Sequence, residues 1–137
     1  MNAKEKTNPV TINVFETVKR HVLEDKIIDS HIWVYGPTKT GEYFIDSSTA
    51  LEGPSDINLY DQDEYKNYEK KTIGRLKQDI LNAISGSRCI GGKIRYRVSG
   101  KNYNLGHISG VLVFEDENGN IDKNSKETKH TTFRIRW

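Results

Sequence analysis

The end of the chain, "HTTFRIRW", alternates polar and apolar side chains. His130, Thr132, Arg134 and Arg136 share one parity, whereas the positions between them hold a second threonine and three apolar residues. Successive side chains of a β-strand point to opposite faces of the sheet. The pattern therefore predicts a final strand with one apolar face and one face that carries an imidazole, a hydroxyl and two guanidinium groups.

Two earlier segments have the same period of two. In "GKIRYRV", residues 92–98, basic residues alternate with apolar ones, and in "HISGVLVF", residues 107–114, a histidine and a serine share a parity with two valines. The valines imply either partial cover of this face or an apolar floor beneath a bound base. If the three predicted strands are neighbours, their polar positions form one open face of the sheet. That face holds Lys93, Arg95, Arg97, His107, Ser109, His130, Thr132, Arg134 and Arg136.

Such a face has the groups needed to cleave RNA without a metal ion. In that reaction the 2′-hydroxyl attacks the adjacent phosphate, one group removes its proton, and a second group protonates the leaving oxygen. Imidazoles suit both roles because they exchange protons near neutral pH, and cations stabilise the charge that develops on the phosphate. We predict His130, His107, Thr132 and Arg134 as catalytic residues, and Arg95, Arg97, Lys93 and Arg136 as RNA-binding residues.

The segment "KHTTFRIRW" resembles the ending of the barnase-type ribonucleases and of the bacterial toxin nucleases grouped with them. In that family a catalytic histidine lies shortly before a final strand and is followed by a threonine, a phenylalanine and basic residues. Here the corresponding residues are His130, Thr132, Phe133, Arg134 and Arg136. "IGGKI", residues 90–94, resembles the entry to a sheet strand of the family. The resemblance covers about the last third of the chain. It implies leading helices followed by an antiparallel sheet, ribonuclease activity without a metal, and RNA and a cognate inhibitor protein as partners.

The glutamate base of that family has no clear equivalent in this chain. Glu115 shares the parity of His107, but it stands at the end of the predicted strand, beside a turn. Some members of the family use two histidines instead, so we predict His107 as the base. The other two histidines, His21 in a predicted helix and His31 at the start of a predicted strand, are interpreted as structural.

The 137 residues carry a net charge of only +2, but the charge is unevenly distributed. Residues 1–87 hold 11 Lys and Arg against 14 Asp and Glu, hence −3, whereas residues 88–137 hold 10 against 5, hence +5. The positive half is also the strand-rich half. This asymmetry favours an anionic partner such as nucleic acid, and it is equally typical of exposed strands that are simply rich in lysine and arginine.

Other signals indicate which cofactors and compartments to expect. "GPTKTG", residues 36–41, is not a phosphate-binding loop because Glu42 stands where the lysine is needed, so no nucleotide cofactor is predicted. Cys89 is the only cysteine and is interpreted as a small buried hydrophobe. No cluster of His, Asp and Glu has metal-ligand spacing. Neither a signal peptide nor an apolar run of about 20 residues is visible, which predicts a cytoplasmic site of action and no membrane partner.

Helices are predicted in the first part of the chain. "NVFE" at 13–16 is typical of a capping box, and apolar residues at helical spacing predict a helix over about 13–26. A longer apolar stripe predicts a second helix over about 63–85, with a cap at Asp61 and Gly86 beyond its end.

The remaining segments are predicted as strands and turns. "HIWVYGPTKTGEYFID", residues 31–46, predicts a β-hairpin, and the turn-rich stretch at 47–56 predicts a loop. A second hairpin, with Asn118 and Gly119 at its tip, is predicted to join the last two strands. We therefore expect a single α+β domain with a loose lead-in over residues 1–12. An N-terminal helix and hairpin come first, and one long helix then packs on a C-terminal antiparallel sheet.

Two other functions fit the same pattern. A long helix across a curved antiparallel sheet resembles cystatin-like and nuclear transport factor-like domains, which serve as secretion or conjugation components, pocket binders, and immunity or inhibitor proteins. The arginines would then anchor an interface. "SST" at 47–49 and "EDE" at 115–117 are weaker indications of an ADP-ribosylating toxin. The ribonuclease hypothesis alone requires that His107 and His130 both reach one phosphate.

Overall fold

The computed structural model describes residues 8–52 and 62–136. Within these ranges the chain forms two helices and five strands. The elements are α1 (Pro9–Asp25), β1 (Ile27–Tyr35), β2 (Phe44–Leu51), α2 (Gln62–Ile84), β3 (Cys89–Ser99), β4 (Leu105–Phe114) and β5 (Lys129–Arg134). The predicted α+β class is confirmed, with a helix and a hairpin before the long helix and the later strands.

All five strands belong to one antiparallel sheet in the order β2–β1–β3–β4–β5. The three late strands are therefore neighbours, which is the condition that the ribonuclease hypothesis set. The N-terminal hairpin is part of the same sheet, because β1 pairs along β3. This pairing places the side chains of β1 beside those of β3, on the same two faces of the sheet.

α1 begins at Pro9 and not at Asn13, where the sequence predicted its start. The side chain of Asn8 accepts a hydrogen bond from the backbone N–H of Val10 at 2.9 Å. Proline suits the first helical position because its fixed backbone angle matches the helix and it has no N–H to leave unpaired. The first turn thus occupies positions expected to be loose, and it buries Thr11.

β2 extends through the start of the segment predicted as a loop at 47–56, so that prediction is wrong there. The extension pairs with β1, and the hydroxyls of Ser30 and Thr49 lie 2.8 Å apart across the pair. Pairing with a neighbouring strand decides the structure here, and local turn propensity does not. Residues 53–56 of the predicted loop, and the predicted cap at Asp61, lie outside the described residues.

α2 ends at Ile84, close to the predicted end. Gly86 beyond it has a φ of +78°, a left-handed conformation that glycine adopts without strain. The turn predicted at Asn118 and Gly119 is present, but a short 3₁₀ helix, Lys123–Lys126, separates it from β5. None of the described helices is both long enough and apolar enough to cross a lipid bilayer.

The core lies between the sheet and the helices. α1 contacts β1 and β4, whereas α2 contacts β2 and α1. The core residues of α2 and Phe133 of β5 belong to one cluster. α1 also reaches Phe133, because the Lys19 ammonium lies 5.3 Å from the centre of its ring. Cys89 is fully buried in the core, as predicted, and burial raises the pKa of its thiol.

Candidate functional site

The sheet face away from the core carries the polar residues of the strands, and we call it the open face. Residues paired in the strand register lie side by side on one face, so the side chains form rows across the sheet. One row consists of His31, Arg95, Ser109 and His130. The adjacent row contains Arg97, His107 and Thr132.

The two rows enclose a cavity of about 210 Å³, which we call the histidine depression. Its lining includes the side chains of Arg95, Arg97, His107, Ser109, His130 and Thr132. His107 on β4 and His130 on β5 are diagonal neighbours in the register, an arrangement that separates Cα atoms by about 7–8 Å. The two imidazoles therefore border the same small space, as one shared phosphate would require.

His107 is half-buried and is held at both ring nitrogens. Its Nε2 lies 2.5 Å from the hydroxyl oxygen of Ser99, and its Nδ1 lies 3.4 Å from that of Thr132. A neutral imidazole has one donor and one acceptor, and hydroxyls can serve either. The two contacts with hydroxyl groups therefore hold the ring in one orientation.

His130 has a different environment, although it borders the same cavity. It is exposed, and its side chain makes no hydrogen bond or ion pair with any other residue in the described ranges. Its ring is thus free to turn towards a ligand. The depression combines one positioned imidazole with one that is accessible from solvent.

Cations dominate the electrostatics of the histidine depression. Arg95 and Arg97 are exposed, and within the described ranges neither makes an ion pair. Among the residues that the structure describes, no aspartate or glutamate belongs to the lining. Asp29 of β1 is next to Arg97 in the register, but the two make no ion pair within the described ranges, so both guanidinium groups remain available to an anion.

Three of the predicted site residues lie outside the histidine depression. Lys93 borders a second cavity nearer β1. Arg134 pairs in register with Leu105, one step beyond the Thr132 row, and it is exposed. Arg136 follows the end of β5 and is also exposed. The predicted set is therefore split, with Arg134 and Arg136 at the margin of the open face.

The second cavity has a volume of about 290 Å³, and we call it the tryptophan depression. Side chains from three strands and from the segment before β5 line it, namely those of His31, Trp33, Lys93, Arg95, Ser109, Val111 and Thr128. The rings of His31 and Trp33 stack with centroids 5.7 Å apart and an interplanar angle of 22°. Arg95 and Ser109 border both cavities, so the two depressions are adjacent.

Sequence reasoning missed three side chains of this surface. The alternation of "HIWVY" assigns His31 and Trp33 to one face of β1 and the buried Ile32 and Val34 to the other. Only the pairing of β1 with β3 shows that the face of His31 and Trp33 is the open face. His31, interpreted from the sequence as structural, therefore lines a cavity. Ser99, which contacts His107, continues the alternation of β3 by one step and was identifiable from that pattern.

Glu115 remains apart from both depressions. It is exposed just beyond β4. Its backbone N–H donates to the carbonyl of Arg88 at 2.9 Å, and the residue forms a bridge with Ile121.

The described part of the chain contains no group of three or more His, Cys, Asp and Glu arranged to hold a metal ion.

No family model, curated protein or solved structure matches this chain significantly. The functional assignment therefore depends on the residues of the open face and their geometry.

Proposed function

We propose that the protein is a metal-independent endoribonuclease of the bacterial toxin type, and that the histidine depression is its active site. The observation that carries the proposal is the convergence of His107 and His130 on one cavity together with two arginines that make no ion pair within the described ranges. The resemblance of "KHTTFRIRW" to the ending of barnase-type nucleases supports the same activity. Such an enzyme would act on cytoplasmic RNA and have a cognate inhibitor protein.

In the proposed reaction a phosphodiester of RNA occupies the histidine depression. His107, positioned by Ser99 and Thr132, accepts the proton of the 2′-hydroxyl as its oxygen attacks phosphorus. The bond from phosphorus to the 5′-oxygen breaks, and His130 donates a proton to that leaving oxygen. The products are a 2′,3′-cyclic phosphate and a free 5′-hydroxyl. One proton passes to His107 and one leaves His130, so the cleavage step needs no further reactant.

The arginines have an electrostatic role in this scheme. Arg95 and Arg97 extend from β3 into the cavity's lining, where their charge opposes the negative charge that builds on the phosphate oxygens. Donors fixed on a strand need little rearrangement during the reaction. Arg134, at the margin, is proposed to contact the RNA strand outside the scissile phosphate.

The direct test is incubation of the full chain with total tRNA and rRNA in the presence of EDTA. We expect cleavage products that end in a cyclic phosphate. His107→Ala and His130→Ala should each reduce the rate by about 10²–10⁴-fold, the usual contribution of a general acid or base. Circular dichroism should show that both variants remain folded, because neither imidazole belongs to the core.

Lys71→Ala provides a matched control, because Lys71 is an exposed cation on α2, in the layer opposite the open face. Its rate should equal that of the unmodified protein. Intact RNA after prolonged incubation, or equal rates for the histidine variants and the control, would reject the proposal. The open face would then be assigned to docking of a partner protein.

A further inference from the structure

The tryptophan depression has no role in the proton transfers described above. Trp33 and His31 both lie on the open face of β1, and their stacked rings form an extended aromatic surface. Neither side chain makes a hydrogen bond with another described residue. A half-buried indole with no polar partner and no core contact to satisfy is an unusual feature of a solvated sheet face.

The surroundings of this aromatic surface are suited to a planar ligand attached to an anion. Val111 supplies an apolar wall, as expected from its position among polar residues. Lys93 and Arg95 supply positive charge, and neither is engaged in an ion pair within the described part of the chain. Aromatic side chains flanked by cations are the means by which proteins hold single-stranded nucleic acids, because every base has a π-face.

The relation between the two depressions limits the ligand further. Arg95 and Ser109 border both cavities, with Trp33 on β1 and His130 on β5 at the two ends. Neighbouring strands are about 4.8 Å apart, so β1 and β4 are separated by about 10 Å. A nucleotide is long enough to place its base over β1 and its phosphate near β4.

We infer that the tryptophan depression binds a base of single-stranded RNA by stacking on Trp33, next to the phosphate held in the histidine depression. This inference rests on the proposed ribonuclease function and adds its substrate class. Single strands are required because a base paired within a duplex cannot stack on a side chain. Arg95 connects the two subsites, since it borders both.

The test measures binding separately from cleavage. The probe is a short, fluorescently labelled oligouridylate in which every 2′-hydroxyl is methylated, so that the nucleophile is blocked. Trp33→Ala should weaken its binding by about tenfold or more, the usual effect of losing one base-stacking contact. Trp33→Phe should retain most of the affinity, because a ring remains. Tyr35→Ala is the matched control, since Tyr35 is exposed on the same strand and outside both cavities.

An abasic oligomer of the same length and backbone provides the second measurement. Its affinity should be lower than that of the oligouridylate and should not change in Trp33→Ala. Equal affinity of the two probes, or an oligouridylate affinity unaffected by Trp33→Ala, would overturn the inference even if unmodified RNA is cleaved. If base-dependent binding is observed but the unmodified RNA stays intact in EDTA, the stacking subsite stands and the ribonuclease proposal fails.

Discussion

Histidine occurs in two contrasting regions of this molecule. At the helix junction, formed by His21, Arg20 and Asp25 of α1 with Arg75 and Asp79 of α2, the His21 side chain is only 4% exposed. Its Nδ1 lies 3.2 Å from Asp25 and its Nε2 lies 2.6 Å from Asp79. On the open face, in contrast, His130 is exposed and has no partner among the described residues.

The two regions use similar groups in opposite ways. At the helix junction each carboxylate also has an arginine, because Arg20 lies 2.7 Å from Asp79 and Arg75 lies 3.2 Å from Asp25. Each ring nitrogen of His21 faces a carboxylate, and an ionised carboxylate only accepts hydrogen bonds. Charges that satisfy one another join two helices, whereas Arg95 and Arg97 on the open face make no ion pair within the described ranges and are available to a ligand.

The largest effect that would test this contrast concerns the pair on the open face. The double variant His107→Ala, His130→Ala should lose about as much activity as either single variant, because groups that act in one step are strongly non-additive. The cleavage rate should also fall on both sides of a pH optimum, since one imidazole must be neutral and the other protonated. Rates in EDTA across a pH series would measure both. Losses that multiply in the double variant would show that the histidines act independently.

His21→Ala should have the reverse outcome. Its loss leaves Oδ2 of Asp25, a side chain only 12% exposed, without the His21 donor, whereas Asp79 keeps Arg20. An unsatisfied buried acceptor costs about 1–3 kcal/mol in the free energy of unfolding. Urea denaturation would measure this cost. Cleavage per folded molecule should not change, because the helix junction lies on the other side of the sheet from the open face. A His21→Ala protein with unaltered stability and reduced cleavage would contradict the distinction between the two regions.

The salt dependence of RNA binding provides a smaller but independent test of the contrast between the open face and the helix junction. RNA binding should weaken as salt rises, and Arg95→Ala should reduce the slope of log affinity against log salt concentration by about 1. Arg20→Ala is the matched control, because Arg20 is also exposed but already pairs with Asp79. Filter binding or anisotropy at several salt concentrations would give both slopes. Equal slopes for the two variants would show that RNA does not make its electrostatic contacts with the open face.

The sequence predicted the open face better than it predicted the helix junction, and the reason is physical. Strand alternation is a local pattern, so Arg95, His107 and His130 could be assigned to one face once their strands were identified. Contacts between helices depend on packing, so nothing local indicates that His21 meets Asp79, a residue far along the chain. The same limit explains why His31 was assigned no site: the order of strands in the sheet, and not the sequence around it, brings it there.

The boundaries of the helices show the same difference between local sequence signals, which can be predicted, and tertiary contacts, which cannot. Gly86 correctly marked the end of α2, because a left-handed glycine is a local signal. The predicted start of α1 was wrong because two asparagines, Asn8 and Asn13, both fit a helix cap, and only Asn8 is followed by the proline that favours the first helical position. Alternation assigned Phe133 to the apolar face correctly, but it could not show that α1 also reaches this residue, because alternation does not identify which helix covers a face.

The smallest predicted effect concerns the acid limb of stability. A hydrogen bond from His21, together with the charges of His21 and Arg20, lowers the pKa of Asp79 below its ordinary value of 3.8. A carboxylate with a lowered pKa in the folded state stabilises the fold above its ordinary pKa, and this stabilisation is lost as the pH falls through the folded-state pKa. Asp79→Asn should therefore be less stable than the unmodified protein at neutral pH, and the difference should shrink in strong acid. Urea denaturation at a series of pH values would show this convergence. Asp46→Asn is the matched control, because Asp46 is exposed and, among the described residues, its carboxylate accepts only from the adjacent Ser47 N–H. A stability difference for Asp79→Asn that is constant with pH would mean that the Asp79 carboxylate contributes nothing through its charge, and the helix junction would then be held by packing alone.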